Sequence, residues 1–314
     1  MTIRIQRFIA FLLVLCIPIF AIAGCTNNDV ANAANQVTTN ANGTYSIDTK
    51  TTTPEGKLDV YMLDIGQGDA ILLKVGDEYS MIDTGDIEHR ENIVAQLKTM
   101  GVTKLKNIII THPHADHMGG FYAIAKAMPI EHVYDDGIAV DNNMYKTYEK
   151  WIEKNKIQRT TLRSGDVVDF GHGAVFVVYA PWVEPLTDKK GETDLNNNSI
   201  VGKLIFGKFS MLFTGDAEWQ EEKKLIKEQN SRLFARILKV GHHGSRTSSS
   251  EDFLKSIKPE SALISNGMYN KYGHPHDVTL RRLQENNIAI YRTDTMGRIH
   301  ISTDGNEWQI STER

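Results

Sequence analysis

The densest group of reactive side chains in the sequence lies in the hexapeptide 112–117. It reads His-Pro-His-Ala-Asp-His, so four potential metal ligands fall within six residues and a proline separates two of them. This spacing favours a tight loop in which His112 and His114 face one ion while Asp116 and His117 turn toward a second. Imidazole nitrogens and a carboxylate oxygen are a ligand set for Zn²⁺, with Mn²⁺ or Fe²⁺ as alternatives. A bound metal would also offset the cost of burying so many titratable groups.

Further polar groups follow other apolar segments of the chain. Asp83, Asp216 and the pair His242-His243 each come directly or one residue after a run of residues that is typical of a buried strand. Loops at the carboxyl ends of strands are where α/β proteins build their sites. Four His/Asp clusters at matching positions therefore predict one site assembled from distant parts of the sequence.

The elements that must position these clusters alternate along the chain, which indicates a layered α/β architecture. No internal repeat or second linker interrupts the pattern, so we expect residues 57–314 to form one domain. Asp277 and one of Ser248–Ser250 are the expected N-caps of the last two helices. The predicted strands are 58–63, 70–75, 79–82, 107–111, 174–180, 199–206, 210–214, 237–240, 262–265, 289–292 and 298–302, and the predicted helices are 91–100, 121–127, 146–155, 218–229, 250–257 and 279–286.

A series of motifs resembles the metallo-β-lactamase superfamily, and is more closely similar to the C-terminal hydrolase domain of ComEC-type competence proteins. The similarity extends over roughly residues 58–303. The motifs are DIGQGDA (64–70), IDTG (82–85), THPHADHMGG (111–120), NNSIV (197–201), FTGD (213–216), LKVGHHGS (238–245), SNG (265–267) and YGHPH (272–276).

This resemblance implies a four-layer αββα sandwich with two divalent cations at one edge of its two sheets. Zn²⁺ is the expected metal and Mn²⁺ the alternative. The implied reaction is hydrolysis of a phosphodiester by a metal-bridged hydroxide, with DNA as the substrate proposed for competence proteins. A phosphorylcholine esterase of pneumococcal surfaces is also similar, and it indicates that such a site can act on phosphodiesters of the cell wall.

The resemblance also implies which residues hold the cations. His112 and His114 would bind the first cation, and Asp116, His117 and His243 would bind the second.

The remaining polar residues of these motifs would act around the cations. Asp216 would bridge the two ions, and Asp83 would orient a ligand histidine. We assign His242 to the substrate, because an extended backbone directs only one of two adjacent side chains at the metals. His242 or His274 would assist the leaving group, so the predicted catalytic residues are Asp116, His242 and His274.

One departure from many members of the superfamily concerns the first cation. A third histidine is commonly supplied from a loop before Asp216, but residues 194–199 read Asp-Leu-Asn-Asn-Asn-Ser. ComEC-type domains share this loss. The first site is therefore expected to have fewer protein ligands, with weaker occupancy or Mn²⁺ in place of Zn²⁺.

Substrate contacts are predicted from four short segments. Asp69 follows a Gly-Gln-Gly turn that lacks the ending of a phosphate-binding P-loop, and Asn198 lies in the asparagine run. Ser245 begins a serine-rich segment that fits either a phosphate-binding surface or a plain loop before a helix. Tyr272, with Asn270 beside it, would contact the phosphate, whereas His276 is expected to be structural.

The N-terminus is typical of a secreted bacterial lipoprotein. Arg4 and Arg7 precede an uncharged apolar run, 8–22, which at 15 residues is short for a membrane span of about 20. Small residues then lead into Cys25, an ending that resembles a lipobox. We predict a signal peptide over residues 1–24, with an uncleaved anchor helix as the alternative. Lipidated Cys25 would begin a flexible Asn/Thr/Ala-rich tether, 25–56.

Charge and cysteine content limit the remaining function classes. The chain has 314 residues, a net charge of −4 and two cysteines, too few for a disulfide scaffold. Loss of Arg4 and Arg7 with the signal leaves 33 basic against 39 acidic residues, a charge of −6, which favours a short or single-stranded substrate over long duplex DNA.

We therefore expect a monomeric, lipid-anchored phosphodiesterase or nuclease at the outer face of the cytoplasmic membrane. Any role in DNA uptake would need a separate transport partner. An esterase of phosphorylcholine, teichoic acid or a lactone is the enzymatic alternative. A non-catalytic lipoprotein that captures nucleic acid is the second alternative.

Overall fold

The computed structural model describes residues 37–39, 45–47 and 53–314. Two short strands, β1 (Val37–Thr39) and β2 (Tyr45–Ile47), pair antiparallel within the predicted tether. The predicted signal peptide and Cys25 lie outside the described residues, so the signal, the lipid anchor and the tether stay predictions. Within the described ranges, no helix is both long enough and apolar enough to cross a membrane.

The first large sheet has eight strands and combines an antiparallel half with a parallel half. Its strands are β3 (Leu58–Met62), β4 (Ala70–Val75), β5 (Glu78–Thr84), β6 (Leu105–Ile109), β7 (Ile130–Asp135), β8 (Gln158–Thr161), β16 (Ile299–Thr303) and β17 (Trp308–Thr312). They lie in the order β17-β16-β3-β4-β5-β6-β7-β8, and β5 to β8 run parallel.

The second sheet repeats this division with seven strands. They are β9 (Val167–Gly171), β10 (Ala174–Ala180), β11 (Val201–Phe206), β12 (Phe209–Phe213), β13 (Ile237–Lys239), β14 (Ser261–Ile264) and β15 (Ala289–Arg292). Their order is β15-β14-β13-β12-β11-β10-β9, and β12 to β15 run parallel. The parallel halves deliver the carboxyl ends of β5, β6, β12 and β13 to the edge where the polar clusters lie.

Three apolar cores hold four layers together. Residues from both sheets form the central core, among them Val60, Ile71, Phe176 and Phe213. Helices then cover the outer face of each sheet, which accounts for the other two cores. The first sheet is covered by α1 (Arg90–Thr99), α3 (Phe121–Ala127) and α4 (Asn143–Asn155), the second by α5 (Trp219–Gln229), α6 (Glu251–Ile257) and α7 (Asp277–Glu285), and the single-turn helices α2 (Ala115–Met118) and α8 (Thr293–Met296) lie in connections.

The predicted four-layer αββα sandwich is confirmed. The sequence pattern missed β7, β8, β9 and β17, and β8 shows why: every residue of that strand is exposed, so it has no apolar alternation. Ser250 caps α6 as expected, since its side chain accepts a hydrogen bond from the Phe253 amide at 3.4 Å. The prediction for α7 was wrong by one residue, because His276 is the N-cap and Asp277 is the first helical residue.

Candidate metal centre

The loop after β6 folds the four ligands of the HxHxDH motif onto one side. His114 is the N-cap of α2, and the His117 amide donates to the His114 carbonyl at 3.1 Å. This single helical turn returns His117 to His112, so that their ring centroids are 4.2 Å apart. The His112 Nε2 and His114 Nδ1 atoms lie 2.9 Å apart.

Asp216, directly after β12 and Thr214-Gly215, lies between two groups of donor atoms. Its Oδ1 is 3.1 Å from His117 Nε2 and 3.6 Å from His243 Nε2, while its Oδ2 is 3.8 Å from His112 Nε2. We name His112, His114 and Asp216 the first donor group. The second donor group consists of Asp116, His117, Asp216 and His243, and within each group the donor atoms lie within 4.8 Å of one another.

The buried donor atoms test whether these residues fit a pair of cations. His117 Nε2, His243 Nε2 and Asp216 Oδ1 are all buried without a hydrogen bond of acceptable geometry among the described residues. Leaving such atoms unpaired is costly, and a cation at each group would satisfy them. Nitrogen and carboxylate donors suit Zn²⁺, Mn²⁺ or Fe²⁺. The site therefore fits two divalent cations, and Asp216 contributes to both groups.

Asp83 lies behind the second donor group and fixes His117. Its Oδ2 is 2.7 Å from His117 Nδ1, and it accepts hydrogen bonds from the Thr111 amide and hydroxyl, each at 2.7 Å. The proton on Nδ1 thus points at Asp83, which leaves the Nε2 lone pair for a metal. This is the orienting position expected for Asp83, and Asp83 holds it with a left-handed backbone, φ +58°.

His242 and His243 both turn toward Asp216, contrary to the expectation from an extended backbone. Both have left-handed backbone angles, φ +47° and +53°. His243 Nε2 faces Asp216 Oδ1, and His242 Nε2 lies 3.6 Å from Asp216 Oδ2. The reason given for separating the two side chains was therefore wrong, although only His243 belongs to the second donor group.

The electrostatics of the donor groups favour metal binding. Burial acts against charge on Asp216, but His117 and His243 outweigh it and hold the pKa of Asp216 well below its usual range. Burial, with the nearby His117, lowers the pKa of His112 well below 6.5, so its imidazole is neutral near pH 7. A neutral imidazole beside a carboxylate is ready to coordinate a cation.

A family model described as the metallo-β-lactamase superfamily matches residues 63–267. The chain belongs to the metallo-β-lactamase superfamily. The curated relatives of this superfamily member include competence proteins. It is 29% identical over 249 residues to Competence protein ComA of Neisseria gonorrhoeae and 30% identical over 264 residues to ComE operon protein 3 of Bacillus subtilis, in matches that cover 79% and 78% of this chain. It spans about a third of the length of each relative, 33% in both cases.

Solved structures agree with the superfamily fold. The metallo-β-lactamase fold protein YhfI from Bacillus subtilis aligns with a TM-score of 0.53 at 10% identity, over 78% of this chain and all of YhfI. CmlA, a diiron β-hydroxylase from Streptomyces venezuelae, aligns with a TM-score of 0.51 at 13% identity, over 79% of this chain and 54% of CmlA. At such identities the alignments show the fold alone. The ComEC-type resemblance is confirmed by the competence relatives, and the chain has the ligands of a metal-dependent metallo-β-lactamase-fold hydrolase.

The edge of the sandwich that carries the two donor groups, which we name the metal edge, opens into a cavity of about 340 Å³. Tyr272, half exposed, stacks on His274 with ring centroids 5.6 Å apart. Burial, with the nearby His243 and His242, lowers the pKa of His274 to about 4, so His274 is neutral at pH 7 and cannot act there as a cationic acid. The lining residues are Gln67, His114, Ala115, Asp116, Asn196, Asp216, His242, His243, Tyr272 and His274.

Three predicted substrate contacts are corrected by the structure, because their side chains are buried and already engaged. Asp69 Oδ2 forms an ion pair with the buried Lys239 at 2.7 Å, beneath the metal edge. Asn198 accepts from the Leu186 amide and donates to the Leu186 carbonyl, both at 2.8 Å. The Ser245 hydroxyl lies 2.9 Å from the Thr247 hydroxyl. None of the three lines the cavity.

Three other residues near the metal edge were missed by the sequence analysis. Glu218 Oε1 lies 3.0 Å from His242 Nδ1, and the Thr247 hydroxyl donates to the same oxygen at 2.8 Å. Gln67 and Asn196 line the cavity, and each has a buried side-chain atom without a partner among the described residues, Nε2 and Oδ1 respectively. The available signals were the Gly-Gln-Gly turn and an acidic residue two positions after Asp216.

Proposed function

We propose that this protein is a metal-dependent phosphodiesterase that acts on DNA or a related phosphodiester. One observation carries the proposal: Asp216 joins two donor groups and lines an open cavity together with histidine, carboxylate and amide side chains. A phosphodiester presents negatively charged oxygens, and a pair of cations is suited to holding them while an in-line displacement occurs.

The protein's side chains would hold the cations and the substrate in a fixed arrangement. The first and second donor groups bind one cation each, and Asp83 keeps the Nε2 lone pair of His117 directed at the second. When bound, the cations supply a water of lowered pKa and neutralise charge that develops on the phosphate. Every donor in the two groups is at least partly buried, so the site keeps its geometry without reorganisation.

Side chains of the cavity wall would orient the phosphodiester. Glu218 accepts the Nδ1 proton of His242 and so directs His242 Nε2 into the cavity. Gln67 offers an unpartnered Nε2 as a hydrogen-bond donor to a phosphate oxygen. His274, neutral and stacked on Tyr272, offers a second donor near the leaving group.

The competence relatives support DNA as the substrate class, and the N-terminal sequence pattern supports a lipid-anchored location. We propose that residues 1–24 are removed, that Cys25 carries lipid, and that residues 25–56 tether a monomeric enzyme at the outer face of the cytoplasmic membrane. A separate transport partner would then serve any uptake of DNA. Replacing Cys25 by Ser should abolish lipid labelling, and unchanged labelling would refute the anchor.

A phosphorylcholine ester is the second candidate substrate. It is favoured by the half-exposed Tyr272 beside the metal edge, since aromatic faces bind quaternary ammonium groups. The reaction would still be hydrolysis of a phosphodiester, so the two candidates differ in the leaving group and not in the metal chemistry.

One panel of substrates tests the proposal. The full chain, purified in detergent and loaded with Zn²⁺ or Mn²⁺, is assayed on bis-p-nitrophenyl phosphate, single- and double-stranded DNA, p-nitrophenyl phosphorylcholine and nitrocefin. We expect diester cleavage that chelation abolishes and that falls at least about 10²-fold in Asp116→Ala or Asp216→Ala. Asp77→Asn, an exposed carboxylate, is the matched control. Activity that survives both alanine substitutions would contradict the assignment.

A further inference from the structure

The loop 267–273, which we name the lip loop, presents aromatic side chains beside the metal edge. Among the residues that the structure describes, eight large hydrophobic side chains are exposed, and three of them are in this loop. Met268 is 59% exposed, Tyr269 94% and Tyr272 51%. Exposing so much apolar surface within five residues is unfavourable unless the surface binds something.

The lip loop is held in shape by a single asparagine. Asn270 donates from Nδ2 to the carbonyls of Gly267 and His274, at 2.9 and 2.6 Å, and accepts at Oδ1 from the amides of Tyr272 and His274, at 3.2 and 3.0 Å. The Asn270 amide group is therefore fully used, which corrects its predicted role as a phosphate contact. These four hydrogen bonds fix the backbone of the lip loop, and the fixed backbone holds the aromatic side chains in place.

Tyr269 is held outward at a conformational cost. Its backbone is left-handed, φ +57°, which an aromatic residue adopts only under strain. At the base of the loop, Gly267 packs against the Gly66-Gln67 backbone, where a Cβ would lie 2.8 Å from the Gln67 nitrogen. Because Gln67 also lines the cavity, the loop is fixed directly to the cavity wall.

The lip loop reaches from solvent to the reacting position. Tyr272 lines the same cavity as Asp116 and His243 and stacks on His274, while Tyr269 precedes it by three residues and stands in solvent. A chain whose phosphate lies at the metals would therefore extend its neighbouring group over this loop.

Charge favours a polyanionic chain over a cationic headgroup. Lys271 is exposed within the loop, with its Nζ 5.1 Å from the Tyr272 ring centroid, and the exposed Arg246 follows the metal-binding loop. No acidic residue occurs between Ser265 and His276. A quaternary ammonium would meet these cations, whereas a nucleotide offers phosphates to them and a base to the tyrosine.

From these observations we propose that the lip loop is a stacking platform for the nucleobase next to the scissile phosphate, with Tyr269 as the stacking residue. This rests on the proposed phosphodiesterase function and narrows its substrate class to single-stranded nucleic acid. Stacking between bases and aromatic side chains tolerates any sequence, because every base has a π face. The platform thus confers affinity for unpaired strands without a sequence preference.

Binding without turnover tests this assignment separately from catalysis. The probe is a short single-stranded oligonucleotide that carries 2-aminopurine, titrated against the full chain in detergent with EDTA present to prevent cleavage. We expect Tyr269→Ser to raise the Kd about 5- to 150-fold, the range for loss of one stacked base, and Tyr269→Phe to retain the affinity. Tyr122→Ser is the control, because Tyr122 is an exposed tyrosine of α3 that is distant from the lip loop in the sequence.

A second oligonucleotide distinguishes stacking from a structural effect. This oligonucleotide has abasic sites in place of the aminopurine and its neighbours, and its Kd is measured by competition with the aminopurine probe. The Kd should not differ between Tyr269→Ser and the unaltered chain. Equal affinity of Tyr269→Ser and the unaltered chain for the base-bearing probe would overturn the platform, as would an equal loss on the abasic one. So would a loss of phosphorylcholine binding by the same factor. Failure of the phosphodiesterase function would be seen independently, as no cleavage of bis-p-nitrophenyl phosphate by the metal-loaded chain.

Discussion

Three histidines around Asp216 share one arrangement of their ring nitrogens. In each case Nδ1 faces an acceptor outside the donor groups: Asp83 at 2.7 Å for His117, the Ser265 carbonyl at 2.9 Å for His243, and Glu218 at 3.0 Å for His242. Each Nε2 then points at Asp216. Outer acceptors of this kind fix the tautomer and the ring orientation of a functional histidine.

Glu218 should therefore matter for activity although it touches neither donor group. We expect Glu218→Ala to lower the rate of diester cleavage about 10- to 100-fold, the usual loss for an outer partner of a site histidine. Glu218→Gln should retain most of the rate, because its amide oxygen still accepts the Nδ1 proton of His242. The measurement is kcat on bis-p-nitrophenyl phosphate with the metal content of each variant.

The exposed Glu285 of α7 supplies the control for this pair of variants, as Glu285→Ala. If Glu218→Gln lost as much activity as Glu218→Ala, the carboxylate charge rather than the orientation of His242 would be responsible.

Protons should leave the second donor group when metal binds. Burial disfavours charge on His117, but the carboxylates of Asp216 and Asp83 outweigh it and raise the pKa of His117 well above 6.5 in the metal-free protein. The pKa of His243 is also raised, because Asp216 and Asp116 outweigh burial there. His117 is thus protonated near pH 7, and any proton that His243 carries must also leave before His243 coordinates a cation, so we expect release of about one to two protons per second-site metal.

The raised pKa values of His117 and His243 determine how fold stability and metal affinity change with pH. The protonated histidines stabilise the metal-free fold below about pH 6.5, and this stabilisation is lost as the pH rises through the folded-state pKa. Metal affinity should accordingly increase with pH over the same window. Calorimetric titrations of Zn²⁺ in two buffers of different ionisation enthalpy measure the protons, and heats independent of the buffer at pH 7 would contradict the prediction.

The spacing of the His and Asp residues in the sequence identified the ligands of the two donor groups, but it did not identify all the residues that contact them. His112, His114, Asp116 and His117 lie within six residues, so their grouping needed no knowledge of the fold. Asp69 looked equally polar from its motif, yet burial and an ion pair with Lys239 remove it from the cavity. The position of Glu218, two residues after Asp216, was a weak signal, because its role depends on a left-handed turn at His242 that the residue types do not require.

Among the secondary-structure elements, strands that are buried at nearly every position were predicted most accurately. β4 and β10 begin and end where the apolar pattern places them. The missed strands lie at or near a sheet edge, and β8 and β17 expose most of their side chains and lack alternation. β15 is the exception, an edge strand that was predicted although none of its residues is buried. The site survives these omissions because its residues follow central strands.

The turn between β3 and β4 supports the metal edge by close backbone contact. A Cβ on Gly68 would lie 2.3 Å from the Asp116 carbonyl oxygen, and the Asp69 amide donates to that same oxygen at 3.0 Å. Gly68 also has φ +117°, which L side chains rarely adopt. An added methyl group would therefore push the backbone of a metal ligand away from the second donor group.

We expect Gly68→Ala to lower both thermal stability and metal affinity. Gly101→Ala is the matched control: its φ is +79° and nothing lies within 4 Å of the added Cβ, so it tests backbone strain alone. Strain of about 1–2 kcal/mol should lower the Tm of Gly101→Ala by about 2–8 °C with normal metal binding. Gly68→Ala should lose more stability and also bind the second metal more weakly. Equal metal affinity of the two variants would show that the contact with Asp116 is dispensable.

In the whole molecule, the metal edge is where the two sheets are tied together. The Ser265 hydroxyl after β14 donates to the Gly68 carbonyl at 2.6 Å, and Lys239 of β13 pairs with Asp69 at 2.7 Å. The second donor group spans the same boundary, with two ligands from the loop after β6 and two from the loops after β12 and β13. A cation bound there is shared by both halves of the sandwich.

Metal binding should therefore stabilise the whole fold and not only the site. A ligand at about a thousand times its Kd adds about 4 kcal/mol to the free energy of unfolding, which for a domain of this size raises the Tm by about 8–16 °C. We expect chelation to lower the Tm by that amount in a single cooperative transition, because the second donor group takes its ligands from both halves of the sandwich. Asp116→Ala should start near the lower Tm and respond little to chelator, whereas Asp77→Asn should respond like the unaltered chain. Calorimetric scans with and without EDTA measure this, and an unchanged Tm in the metal-loaded chain would mean that the sheets are held at this edge by the protein contacts alone.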